Sequence, residues 1–366
     1  MSLTHSRTRL AAIGFVASSL LAVSACGSDN LSRGAPAAGG TAGITCAAGS
    51  LTSSGSTAQA TAMSAWIKNY QTACTGAQIN YAGGGSGKGY TDFTAGTDDF
   101  AGSDYPLSST QQPDADKRCH GTAIDLPTTP GAIAVGYNLP GVSGLRLSAK
   151  TLGAIFSGTI TSWNDPAVKT DNPGLNLPST KISTFHRSDT SGTSFNFSNY
   201  LSHDSGGTWV TPADKQWPSA AGGQGSKGTA GIAQGVSSTT GGIGYMEDSY
   251  AVQSKIAVAK IGDKAGNFVE LTNQNTTNFL SHATVTGTGS DLALSLDYDA
   301  TGADIYPNSL VTYEFVCSTG NKSAALLQGF LGYTSGSGQS ILADNGYVPL
   351  PRTIQTKVQA AVAALS

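Results

Sequence analysis

The chain has 366 residues, 39% of them hydrophobic and 12% charged, and a formal net charge of −3. That is enough apolar material for roughly two domains with their own cores, and a weakly acidic balance excludes a basic nucleic-acid-binding surface. The 47 glycines predict many tight turns and places where backbone approaches something closely.

In chain order, the first feature is a leader. His5, Arg7 and Arg9 precede an apolar stretch at residues 10–23, too short for a comfortable membrane span and suited to a signal peptide. Val23, Ser24 and Ala25 stand directly before Cys26, a small-residue cleavage site that resembles the lipobox of bacterial lipoproteins. The resemblance implies removal of residues 1–25 and a diacylglyceryl group on Cys26; a plain secretion signal with Cys26 in a disulfide is the alternative. Thr8 interrupts the arginine pair, so the general export route is expected over a twin-arginine one. Loss of Arg7 and Arg9 with the leader moves the formal charge from −3 to −5. Residues 26–45, rich in Gly, Ala and Ser, read as a flexible tether.

From Leu51 the pattern is a short strand, then Ser56 and Thr57 ahead of an apolar series at Met63, Trp66, Ile67 and Tyr70. That spacing predicts an amphipathic helix with a hydroxyl cap. A second strand at residues 79–81 is followed by a glycine run at 83–87 and a weaker helical pattern through Tyr90 and Phe93; residues 100–103 form a third strand ending at Asp104. Residues 133–137 read as an apolar strand, and Leu152, Ile155 and Phe156 as the next helix. Arg187 to Thr193 forms another polar turn, continued as a helix by Phe197, Tyr200 and Leu201. Residues 310–316 look like a strand, with closing helices around Leu327, Phe330 and Leu331 and around Ile354, Val358 and Ala361. Alternation of this kind predicts an α/β fold with parallel strands, in which polar turns at the carboxyl ends of strands line one cleft.

With Cys26 lipidated, Cys46, Cys74, Cys119 and Cys317 remain, an even number that predicts two disulfides outside the cell. Three pairings are possible and the sequence does not choose. If Cys46 opens the first strand and Cys74 ends the returning helix, those two are neighbours and Cys119 is left for Cys317. Neither a close Cys pair nor a His pair is present, so no metal site is expected.

Several segments, in order, resemble the phosphate-specific substrate-binding proteins of ABC importers: LTSSGST at residues 51–57, GGGSG at 83–87, DFAGSD at 99–104 and HRSDTSGTSF at 186–195. IFSGTI at 155–160, WND at 163–165, NPGL at 172–175 and GIGY at 242–245 support them. The resemblance spans most of residues 50–365. It implies a periplasmic-binding-protein type II fold with a discontinuous first lobe at 46–126 and 308–366, a second lobe at 127–307, and a hinge near residues 126–127 and 306–307. It implies inorganic phosphate as ligand, the permease and ATPase subunits of an importer as partners, no cofactor, and a place on the outer face of the cell membrane.

The positions that match the family's phosphate ligands are Thr57, Ala58, Ser86, Asp104, Arg187, Ser191, Gly192 and Thr193, with Asp189 matching the acid that holds the arginine. Their chemistry suits the role. Hydroxyls and backbone amides at helix amino ends supply donors to an oxyanion, although each hydroxyl could equally be only a helix cap. An arginine fork matches two phosphate oxygens, with a surface Arg–Asp pair as the bland alternative. Asp104 is the informative residue, because a carboxylate can only accept: it takes a hydrogen bond from protonated phosphate and repels fully ionised sulfate. Ala58 departs from the family, which often has an aromatic residue there, and Lys88 stands where many relatives are uncharged.

The glycine run near Lys88 is not a P-loop, because Ala82 and Gly89 occupy positions that need Gly and Ser or Thr. A G-x-S-x-G elbow and an HExxH motif are both missing, so a binding protein is expected in preference to an enzyme. The competing expectations are a sulfate or molybdate binder, a sensor or adhesin with no transport role, and an extracellular phosphate-ester hydrolase using Ser86 or Ser191.

Overall fold

In the computed structural model the described residues are 43–366; the expected leader, Cys26 and nearly all of the expected tether lie outside them. The first half alternates as the sequence predicts: β1 (Gly49–Gly55), α1 (Ala60–Ala73), β2 (Ala77–Gly83), α2 (Ser86–Thr94) and β3 (Phe100–Ser103). After α3 (Gln112–Cys119) comes β4 (Ala123–Tyr137), then α4 (Ala149–Phe156), β5 (Ser183–Arg187), α5 (Gly192–Asp204) and β6 (Gln224–Ser226). The chain continues through α6 (Gly228–Ser238), β7 (Gly242–Glu247) and β8 (Ala257–Val258), and closes with β9 (Ser309–Cys317), α7 (Ala324–Ser335) and α8 (Arg352–Ala363).

These strands form one nine-stranded sheet in the order β2-β1-β3-β9-β4-β7-β5-β6, with β8 also pairing β4. At one end β1 is parallel to β2 and β3; at the other β5 is parallel to β6 and β7. The antiparallel strands β4 and β9 join the two parallel ends into one curled mixed sheet. β4 is buried along its whole length. It pairs with β9 up to Ala132 and with β7 from Ile133 onward, so one continuous strand runs through the expected boundary at residue 127.

Pro127 and Pro130 lie inside β4, where a proline cannot donate to a ladder. The register against β9 slips between Thr312 and Tyr313, as at a β-bulge. The carbonyls freed there are used elsewhere: that of Thr128 accepts from Gln339 Nε2 at 3.0 Å and that of Pro130 from Val348 N at 3.1 Å.

In α1, Met63, Trp66 and Tyr70 are buried and Ile67 half-buried, as the apolar spacing requires. Tyr70 packs edge-on against Phe330 of α7. In the other lobe Phe197 stacks on Tyr245, and Phe156 and Trp217 pack around them. Two disulfides form, Cys46–Cys74 and Cys119–Cys317.

One local expectation needs correction. Ser56 and Thr57 do not cap α1, which begins at Ala60 after Gln59 with no side-chain cap. Ser56 Oγ accepts from Ala58 N at 3.0 Å and also reaches Asp104; the loop holds these hydroxyls in the cleft.

Candidate functional site

Asp104 follows directly on β3 and is buried. Ser56 Oγ and Thr312 Oγ1 both donate to its Oδ1, Thr312 at 2.8 Å, and Ser86 Oγ donates to its Oδ2 at 3.1 Å. The second lobe reaches the same point: Asn196 Nδ2 of α5 donates to the Asp104 carbonyl at 2.7 Å, and Gly192 N donates to Ser86 Oγ at 3.2 Å. Burial pushes the Asp104 carboxyl up and the charge of Glu247 adds to this, while the Ser56 and Thr312 hydroxyls and Arg187 pull it down. The balance stands at about 6.

Arg187 ends β5 and is buried. Its fork grips Asp189 through Nε, 2.8 Å from Oδ1, and through Nη2 to Oδ2. Nη1 points the other way, 3.3 Å from both Thr193 Oγ1 and Thr229 Oγ1. Burial alone would raise Asp189, but Arg187 and the Gly228 amide outweigh it and hold this carboxyl below its ordinary value. Thr229 in turn lies 2.9 Å from Thr57 Oγ1 of the first lobe, and Thr193 donates to Glu247 Oε1 at 2.7 Å. The lobes meet so closely here that a Cβ on Gly192 would sit 2.5 Å from Asp104 Cβ. Gly85 is constrained twice, by a φ of +90° and by Asp189 Oδ2, which would collide with any Cβ placed there.

A PBP superfamily domain matches residues 40–337. Phosphate-binding protein PstS3 of Mycobacterium bovis strain BCG is 39% identical over 364 residues, covering 97% of this chain and 98% of the relative. Phosphate-binding protein PstS 2 of Mycobacterium tuberculosis strain H37Rv is 41% identical over 369 residues, with the same coverage of 97% and 98%. The chain belongs to the PstS family. Solved structures share its fold: a high-affinity periplasmic phosphate-binding protein (PfluDING) bound with phosphate superposes with a TM-score of 0.70 at 20% identity, covering 85% of this chain and 93% of that one. A phosphate-binding protein from Stenotrophomonas maltophilia gives 0.63 at 21% identity, covering 86% and 94%.

In this PstS chain, hydrogen bonds link most of the residues expected at the site. Asp104, Ser86 and Gly192 form one group, and Arg187, Asp189, Thr193 and Thr57 the other. Ala58 joins through its amide to Ser56. Ser191 stands apart: its Oγ caps α5 by accepting from Ser194 N at 3.3 Å. Lys88 lies in an ion pair with Asp92 one turn along α2, part-exposed. Several residues of the cluster were not among the expected ligands: Ser56, expected only as a helix cap, and Asn196, Thr229, Thr312 and Glu247. Ser56 adjoins Thr57 and could have been found by asking which of two hydroxyls faces inward. Thr229 sits at the start of a helix, as Ser86 does. Glu247 ends the otherwise apolar β7, and Thr312 with Glu314 interrupts the apolar run of β9; a polar residue in such a strand is itself a signal of a buried partner.

Proposed function

We propose that this chain binds inorganic phosphate between its two lobes and hands it to the permease and ATPase subunits of an ABC importer, while Cys26 anchors it by lipid to the outer face of the cell membrane. The observation that carries the phosphate reading is the pairing of unlike charges in one buried cluster, with Arg187 as the cation and Asp104 as an acceptor surrounded by hydroxyls. An anion held by Arg187, by the amides of Ala58 and Gly192 and by the hydroxyls of Thr57, Ser86 and Thr193 meets a carboxylate that tolerates it only if it brings a proton. Phosphate does so near neutral pH and sulfate does not. The PfluDING protein of the same fold was solved with phosphate bound, and the relatives carry phosphate-binding names over nearly the full length of the chain, which supports the reading.

The mode of binding we propose is closure of the two lobes on the anion. Lobe 1 comprises residues 46–126 and 308–366 and lobe 2 residues 127–307; residues 126–127 lie inside the continuous strand β4, so opening the cleft would bend that strand together with the segment near 306–307. We read the protein as a binder and not a hydrolase, since Ser191 is committed to capping α5 and Ser86 is wedged between Asp104 and the Gly192 amide.

Calorimetric titration of the purified soluble domain with phosphate, arsenate and sulfate at neutral pH tests the assignment. Phosphate and arsenate, both protonated there, should bind, and sulfate at least a hundredfold more weakly, about 3 kcal/mol. Equal affinity for sulfate would overturn it. For the anchor, Cys26→Ala should release the protein from the membrane fraction into the medium.

A further inference from the structure

Glu247 closes β7 and is 1% exposed. The family resemblance assigned it no role, yet it lies inside the cluster. Its Oε1 accepts the Thr193 hydroxyl at 2.7 Å, and its Oε2 has no hydrogen-bond partner among the described residues. Burying a carboxylate with one oxygen unpaired is costly, and Arg187 already has Asp189 as its counter-ion, so charge balance alone does not explain it.

A hydroxyl has one proton and two lone pairs. Thr193 gives its proton to Glu247, and one lone pair faces Arg187 Nη1 at 3.3 Å. What remains for a ligand is a lone pair. We propose that Glu247 is a specificity-determining residue of this site: by holding the Thr193 proton it makes that hydroxyl an acceptor, so the cleft offers two acceptors, Asp104 and Thr193, to an oxyanion carrying protons. The proposal rests on the phosphate reading and deepens it, because two acceptors favour the doubly protonated monoanion over the dianion. The titratable groups that feel the charge of Glu247 are Arg187 on β5, Asp104 after β3, Tyr250 in the helix after β7 and Tyr347 in the C-terminal segment.

The test is titration of the soluble domain with phosphate and with sulfate, on both sides of the second ionisation of phosphate, for wild type, Glu247→Met and Thr193→Val. Methionine fills the space of Glu247 but leaves no oxygen to take the Thr193 proton. If Thr193 accepts, Thr193→Val should weaken phosphate about tenfold more than sulfate, the loss of one hydrogen bond. Glu247→Met should lower the phosphate-to-sulfate ratio similarly and flatten the rise of phosphate affinity toward lower pH, and the double variant should be no worse than Thr193→Val alone. If Thr193 is an ordinary donor, or Glu247 only a structural prop, both anions weaken together; an unchanged ratio and pH profile overturn the proposal. Should Glu247→Met fail to fold, Thr193→Val still decides. A wild type that binds no phosphate at all would remove the underlying reading instead.

Discussion

The chemistry of the cleft is set by how two single residues are held. Asp104 sits at about 6 because burial opposes its ionisation more than the surrounding hydroxyls favour it. Above that pH it is mostly a carboxylate and can only accept; below it, the group gains a proton and can donate to any anion. Phosphate-over-sulfate selectivity should therefore fall as pH drops through about 6, and paired titrations at several pH values check this. Asp104→Asn imitates the protonated state at every pH, so it should keep the fold but bind sulfate nearly as well as phosphate. Arg187 plays the complementary part. Its planar fork is fixed by Asp189, so Arg187→Ala should weaken phosphate by about 2–4 kcal/mol through loss of charge-assisted hydrogen bonds. Unaltered affinity in that variant would remove Arg187 from the site.

Among elements, the approach of α5 to α2 and the end of β3 determines whether the two groups of ligating residues can meet. Gly192 is the first residue of α5, and a methyl group there would collide with Asp104 and Ser86. Gly192→Ala should leave each lobe folded, with an unchanged circular dichroism spectrum, and still cut phosphate affinity by tenfold or more; affinity within twofold of wild type would show that the lobes need not approach this closely. The alternating elements of the first lobe were legible because each helix buries one apolar stripe, as Met63, Trp66 and Tyr70 do, and because the polar turns fall at strand ends. β4 was legible only in its last third. Pro127 and Pro130 break the usual strand signal, and what permits them is a bulge opposite Thr312 and the side chain of Gln339, more than 170 residues away. The site divided in the same manner. Residues in the loops that resemble the family could be named one by one, whereas Thr312 and Glu247 lie in strands outside those loops and acquire meaning only from partners that the fold delivers.

At the scale of the whole molecule, a sheet that runs through both lobes carries buried acids in its middle, and these govern stability against pH. Glu314 of β9 is fully buried, and neither oxygen has a hydrogen-bond partner among the described residues; burial and the charge of Asp104 push its carboxyl up to about 8, although Gln59 and Thr128 lie nearby. Asp204, at the end of α5, is raised by burial to about 7 and Asp104 to about 6. An unfolded chain releases these protons near the ordinary carboxylate value, so across the interval from about 4 to 8 the folded state binds more protons than the unfolded one. Ligand-free stability is then greatest toward the lower end of that interval and declines as pH rises through each folded value. The lowered acids Asp92 and Asp189 act oppositely, but only below about 4, where their ion pairs with Lys88 and Arg187 are lost. Thermal unfolding in phosphate-free buffer should accordingly show a higher Tm near pH 5 than near pH 8. Glu314→Gln removes one source of the decline, since an amide fills the same space without a charge to bury; Asp125 of β4, also raised well above its ordinary value by burial and by the charge of Asp291, is left in place. The substitution should raise Tm by several degrees near pH 8, change it little near pH 5 and flatten the slope between them; a slope identical to wild type would place the proton uptake elsewhere.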